Sequence, residues 1–220
     1  TAQSFTQDFD DITTLAASGW TSQNLSASAS TAGPLGSHWW QGNANTSVNV
    51  SSAFNAHAGS ASSYIGTDFG ATTAGAGNLS NWLFAPVRTL QNGDTFTFFS
   101  RSNAFGNTQY ADRMRLMIST SGSSTAIANF SSVLTINPNL TATGYPITWT
   151  QYSYTVTGLA APISGRFAFH YDVTDGGSAG ANSGRIGIDS VTYNAVPEPM
   201  TMTVLALGGL LAARRRRNAR

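Results

Sequence analysis

The stretch of this chain that most resembles a catalytic motif is Gly176-Gly177-Ser178-Ala179-Gly180. Its spacing matches the G-x-S-x-G elbow, which presents a nucleophilic serine on a sharp turn between a strand and a helix. Its surroundings exclude that chemistry. A strand pattern rather than a helix follows, and His38, His57 and His170 all precede Ser178, whereas the elbow enzymes place acid and histidine after the serine. All eleven Lys/Arg positions are arginine, so the P-loop lysine and a Schiff base are excluded. No His-Glu-x-x-His occurs, and no two aspartates are singled out as the acid and base of a glycosidase. No catalytic residue is expected, and the chain reads as a non-enzyme.

Two other sets of residues could bind rather than react. Asp8, Asp10 and Asp11 fall on the first strand pattern and Asp189 on the last. Calcium takes six to eight oxygen ligands, and the terminal strands of a jelly roll are often neighbours, so these carboxylates are candidate ligands of a structural Ca²⁺. The competing account makes them surface charges and turn formers. Tryptophan offers the second set: Trp39, Trp40, Trp82 and Trp149 could stack on pyranose rings, though large aromatics are more often core. Adjacent strand residues point to opposite faces, so Trp39 and Trp40 cannot both be core if one face is wet. That pair is the expected carbohydrate-binding position.

These residues must be held by strands. Thr95–Ser100 puts Phe96 and Phe98 on one face. Arg113–Ser119 alternates Met114, Leu116 and Ile118 with polar neighbours, and Gln151–Thr157 does so with Tyr152, Tyr154 and Val156. Gly165–Tyr171 sets Phe167, Phe169 and Tyr171 against Arg166, Ala168 and His170. This is the period-two pattern of strands with one buried face. Shorter strands are expected within Ser4–Asp11, His38–Gly42, Ser63–Gly66 and Asn81–Pro86, with a loop over Leu25–Ser37. In Arg185–Tyr193 the apolar parity switches between Ile186/Ile188 and Val191/Tyr193, which predicts a bulge near Asp189–Ser190. Nine or ten strands without an amphipathic helix predict an all-β, two-sheet jelly-roll sandwich over residues 1–195.

Composition narrows the setting. Cysteine is absent, so there is neither a disulfide framework nor a thiolate metal site. Six arginines face nine aspartates before Glu198, a net charge of −3, which gives no electrostatic footprint for nucleic acid. Sparse charge with abundant Ser, Thr, Asn, Gly and Ala suits an extracytoplasmic β protein. The absence of an initiator Met and of any signal-peptide pattern at Thr1 is read as a removed export signal.

Residues 196–220 form a separate unit. Val196-Pro197-Glu198-Pro199 precedes an uncharged stretch, Met200–Ala213, and then Arg214, Arg215, Arg216 and Arg217. As a helix the apolar stretch would span about 21 Å at ~1.5 Å per residue, short of a hydrocarbon layer of ~30 Å. The arginines obey the positive-inside rule. A core helix ending in four arginines is disfavoured, and a plain anchor would need snorkelling or bilayer thinning. The order of these parts resembles the PEP-CTERM sorting signal of Gram-negative bacteria. That resemblance implies an exosortase as partner, transient residence of the helix in the inner membrane with the C-terminus cytoplasmic, and an extracellular polysaccharide or biofilm setting.

The body carries a resemblance as well. Phe9–Ile12 (FDDI), Gly19–Trp20, Trp39–Gly42 (WWQG), Ser80–Pro86 (SNWLFAP), Asn92–Asp94, Ala111–Arg113, Leu134–Pro138 (LTINP) and Gly184–Val191 (GRIGIDSV) resemble the choice-of-anchor J domain in order and spacing. That domain is similar to cleaved-adhesin and MAM-type jelly rolls. The resemblance implies a fold and a cell-surface or secreted address. It implies adhesion or glycan binding as an alternative role, and no reaction.

Overall fold

A computed structural model describes residues 4–42 and 54–197. Among these residues twelve strands form two sheets packed face to face, the two-sheet jelly-roll sandwich that the alternation predicts. The first sheet holds β10 (Thr150–Thr155), β7 (Thr95–Ser102), β12 (Arg185–Asn194), β4 (Ile65–Asp68) and β3 (Trp40–Gln41) in that order, with β1 (Phe5–Gln7) on the far end of β12. The second holds β2 (Thr21–Asn24), β5 (Gly77–Phe84), β11 (Ile163–Gly176), β8 (Met114–Ser119) and β9 (Ser131–Ile136). β6 (Arg88–Leu90) lies end to end with β5 along the same side of β11, the two separated by Ala85-Pro86-Val87 where proline cannot join a ladder. Helix is limited to three short 3-10 turns among the described residues.

The period-two residues meet between the sheets. Phe96 and Phe98 of β7 pack on Phe167 and Phe169 of β11, with ring centroids 4.5 Å apart for Phe96–Phe167 and 5.0 Å for Phe98–Phe169. Such pairs contribute about 0.5–1.5 kcal/mol beyond the area they bury. The register of β12 against β7 shifts between Asp189 and Thr192, and Ser190 takes a left-handed φ of 50°. This is the expected bulge, and it lets Ile186 and Ile188 share an inner face with Val191 and Tyr193, all four fully buried.

Three expectations change. Ser4–Asp11 is not one strand: Phe9 is left-handed (φ 52°), β1 stops at Gln7, and Asp11 caps the 3-10 turn Ile12–Thr14 by accepting from Thr13 N at 2.9 Å. The aromatic strand shrinks to Trp40–Gln41, while β5 begins at Gly77, four residues before the predicted start. β2, β6 and β9 were not anticipated.

Buried polar groups tie one end of the sandwich. Asp68 accepts from Gly70 N at 2.9 Å, contacts His38 Nε2 at 2.7 Å and lies 3.6 Å from Arg185. Nearby, Asp112 is fully buried, and its Oδ1 accepts from Tyr171 Oη at 2.6 Å and from Gly184 N at 2.9 Å. Burial raises the Asp112 carboxyl to about 7 against these stabilising bonds.

At the other end, Asp94 ties down the departing chain. It accepts from Val196 N at 2.9 Å and from Tyr193 Oη, while Gln91 Nε2 donates to Val196 O. The last strand, β12, ends at Asn194, and these bonds hold the chain against the sandwich as far as Val196. Pro197 is exposed, and Glu198, Pro199, Met200–Ala213 and Arg214–Arg217 lie outside the described residues.

Candidate functional site

The outward residues of the second sheet form the candidate site. Strand register sets Gln23, Trp82, His170, Arg115 and Thr135 side by side, one from each of β2, β5, β11, β8 and β9. From Gln23 to Arg115 the row crosses three strand spacings, about 14 Å. One residue pair along, Thr21, Phe84, Ala168 and Met117 make a parallel apolar row.

Phe130 covers that apolar row. Together with Trp82, Phe84, Met117 and Ala168 it forms a second hydrophobic cluster, outside the sandwich. The rings of Phe84, Trp82 and His170 stand nearly parallel, 5.7 Å and 3.9 Å apart. Ser80 locks this ladder: its hydroxyl accepts from Trp82 Nε1 at 3.0 Å and meets His170 Nε2 at 2.9 Å. Burial lowers His170 to about 4, so the ring is neutral at physiological pH. Arg166 closes the far end, donating to Ala85 O at 2.8 Å and to Ser123 O and Gly19 O at 3.3 Å, with its guanidinium 5.6 Å from the Phe84 ring.

Beside the ladder lies a groove of about 380 Å³ lined by Thr21, Ser22, Gln23, Phe84 and Thr125. No ionisable side chain lines it. Ser22 is committed, donating to Leu35 O and accepting from Ser37. Thr21, Gln23 and Thr125 are exposed, and none makes a side-chain hydrogen bond with another described residue. The groove thus offers uncommitted hydroxyl and amide groups above an apolar floor, the lining that suits a neutral, hydroxylated ligand.

The tryptophans separate clearly. Trp39 is fully buried in the main core and donates from Nε1 to Trp82 O at 3.1 Å, so neither ring face is open to a sugar. Trp40 is half-buried on the first sheet beside Gly66, its ring edge-on to His38 at 5.6 Å. Trp82 is 3 % exposed and serves as support in the ladder. Trp149 is half-buried on the outside of the first sheet, donating to Asn55 O at 2.9 Å. There it joins Phe54, Tyr64, His57 and Phe99 in an aromatic lid, with His57 stacked on Phe99 at 3.6 Å. Gly187 makes room for this lid, since a Cβ there would sit 2.7 Å from Phe54 Cε2.

The four candidate calcium ligands do not converge. Asp8 and Asp10 are exposed, and Asp11 is spent on its cap. Asp189 is fully buried: Oδ2 accepts from His57 N at 2.8 Å and Ala58 N at 3.1 Å, and Oδ1 accepts from Ser190 N. The bulge therefore aims this carboxylate at a loop, where it holds the lid in place. Burial raises its pKa and the three backbone bonds oppose that rise. Among the described residues, no group of three or more His, Asp or Glu side chains could hold a metal ion.

No hydrolase site forms at the glycine-rich loop. Ser178 is exposed on a loop that leads into β12, with no helix behind it. Gly177 (φ 105°) and Asp175 (φ 51°) make the turn, and Ser183 Oγ accepts from Gly177 N at 3.0 Å.

No protein-family model and no curated protein matches the sequence. Solved structures do match the fold. The K3 cleaved adhesin domain of Lys-gingipain from Porphyromonas gingivalis W83 is 17 % identical, with a TM-score of 0.52 over 87 % of this chain and 98 % of that domain. The K1 cleaved adhesin domain of the same protein is 16 % identical, with a TM-score of 0.48 over 89 % and 99 % of the two chains. The xylan-binding module CBM15 is 12 % identical, with a TM-score of 0.42 over 90 % and 99 %. The chain has the cleaved-adhesin type of β-sandwich fold. At such identities the likeness extends to the fold alone.

Proposed function

We propose that this chain is an exported, non-catalytic surface module that binds polysaccharide across the outer face of its second sheet. One observation carries the reading: the groove beside Phe84 has no ionisable side chain in its lining and is rimmed by Thr21, Gln23 and Thr125, whose polar side chains are uncommitted. Folds of this kind host unrelated functions, so the proposal rests on the groove rather than on the adhesin likeness. The histidines support a binding role over a catalytic one: His38 is engaged by Asp68, and His57 and His170 lie flat on Phe99 and Trp82. A glycan array probed with residues 1–197 tests the reading. Saturable binding that Gln23→Ala weakens is the expected result, and retention of full binding by that variant would move the site elsewhere.

Residues 196–220 are proposed to be a sorting signal read by an exosortase at Val196–Pro199. Met200–Ala213 would hold the protein in the inner membrane during processing, with Arg214–Arg217 on the cytoplasmic side, and the released body would associate with extracellular polysaccharide. The anchoring of Val196 by Asp94 supports this division, because it fastens the chain to the sandwich at the first residue of the motif. Intact-mass analysis of the exported protein should find residues 200–220 removed, and their retention would defeat the processing step.

A further inference from the structure

The groove's lining suits sugar hydroxyls, but the other end of the same row has a different chemistry. There Arg115 of β8 and Arg113, the residue just before that strand, stand together, and a single carboxylate serves both. Asp172 Oδ2 lies 3.1 Å from Arg113 Nη2 and 2.7 Å from Arg115 Nε. Arg113 Nε donates in addition to Asp172 O at 3.0 Å. Burial would push the Asp172 carboxyl up, yet the Arg115 hydrogen bond and the charges of Arg113 and Arg115 outweigh it and hold the group below its usual value. The cluster is therefore ionic, two cations on one anion, inside a body whose net charge is negative.

The way Arg115 is held matters more than the charge count. Asp172 grips Nε, which leaves both terminal nitrogens without a partner among the described residues, and the side chain is 32 % exposed. A guanidinium fixed through Nε presents its remaining N–H groups as a pre-oriented fork, which matches the two oxygens of a carboxylate or sulfate better than a lysine does. Neutral His170 sits between this fork and Trp82 in the row, so the path from Gln23 to Arg115 crosses about 14 Å without a competing charge.

We infer that the polysaccharide is acidic: a chain whose sugar hydroxyls enter the Thr21–Gln23–Thr125 groove places an oxyanion, carboxylate or sulfate ester, on the Arg115 fork. This rests on the groove reading above and adds the class of ligand to it. Titration calorimetry with oligogalacturonate, its carboxyl-reduced counterpart and a sulfated neutral glucan tests it. The expected result is that oligogalacturonate or the sulfated glucan binds at least tenfold more tightly than the reduced oligomer. Arg115→Gln should lower acidic-ligand affinity by about 10- to 100-fold, the range for a hydrogen bond to a charged group, while leaving the reduced oligomer unaffected. Arg115→Lys keeps the charge and loses the fork, so it should recover only part of the affinity, and only at low salt. Gln23→Ala should weaken all ligands alike. Equal binding of acidic and reduced oligomers, or no effect of Arg115→Gln in a variant with unchanged melting temperature, would overturn the inference and leave the groove standing. Binding of none of the three would remove both. The stronger of the two acidic ligands identifies which oxyanion the fork takes.

Discussion

Replacing Asp112 with asparagine should make this protein more stable at neutral pH. The carboxyl is fully buried, its Oδ1 takes two hydrogen bonds, and its Oδ2 has no hydrogen-bond partner. Its folded pKa is raised to about 7 from 3.8. A raised carboxyl contributes stability that is fully present below the unfolded value and is lost as pH climbs to the folded one. Between pH 4 and 7 the unfolded chain releases this proton while the folded chain keeps it, at ~1.4 kcal/mol per pH unit. Three units give about 4 kcal/mol in the limit. Asparagine reproduces the protonated form: its Oδ1 accepts from Tyr171 and Gly184, and its Nδ2 replaces an atom that was already without a partner. Urea unfolding of both proteins from pH 4 to 8 isolates the effect, because every other titrating group is common to the two curves. The curves should meet near pH 4 and diverge until about pH 7, with Asp112→Asn above. Parallel curves, or a variant less stable at pH 8, would refute the burial argument.

Other predictions follow from packing and from buried hydrogen bonds. Gly187→Ala should cost about 1–3 kcal/mol as an overpacked site, because the new Cβ would lie 2.7 Å from Phe54 and 3.0 Å from Trp149. A lower melting temperature with greater quenching of Trp fluorescence checks it, and an unchanged melting temperature counts against the lid. Asp189→Ala leaves the N–H groups of His57, Ala58 and Ser190 without their acceptor, which should cost about 1–3 kcal/mol. Amide exchange at residues 57–58 should then speed up first. Trp39→Ala should cost about 3–5 kcal/mol as a core truncation, and Trp40→Ala much less. Equal losses would contradict the placement of Trp39 as core and Trp40 as half-buried.

The strands that were legible are those with one wet face. In β7 and β10 apolar and polar residues alternate because the sheet fully buries only one side, and the pattern survives in the sequence; β11 keeps the alternation of residue type although Arg166 and Ala168 on its outer face are covered. The strands that were missed lack it for identifiable reasons. Thr21-Ser22-Gln23-Asn24 has no apolar residue, yet β2 is fixed by pairing with β5 from Thr21↔Phe84 to Asn24↔Asn81. Residues 4–11 look extended until a left-handed Phe9 breaks them, and nothing in the residue type announces that. The bulge was readable because a parity conflict has few other solutions. What it served was not: Asp189 meets His57 and Ala58, more than 130 residues away in the chain. The site was the least legible part. Its row draws one residue from each of five strands, so it exists only once register is known. Asn81–Pro86 did carry one hint, since an unbroken apolar run implies cover on both faces, and Trp82 and Phe84 are buried on the outer one.

That double burial also explains why the two outer faces differ in what they can do. On the first sheet the segment from Phe54 to Tyr64 lies across β12 and β7, and the Asp189 bulge staples it there through two backbone amides. Its aromatics pack on one another, with Phe54 and Tyr64 stacked at 4.9 Å and Arg101 over Phe54 at 4.3 Å. Such a face spends its rings on itself. On the second sheet the cover is only partial. Phe130 reaches Phe84 and Trp82 and stops, so the apolar row is sealed while the row from Gln23 to Arg115 keeps polar groups at both ends. A chain without disulfides needs rigid strands under any binding surface, and the Phe84–Trp82–His170 ladder supplies that rigidity just beneath the polar row. Removing the cover should therefore weaken the site from below. Phe130→Ala is expected to loosen the ladder and lower ligand affinity without touching any polar group, whereas cutting back the Phe54 lid should cost stability and leave affinity unchanged.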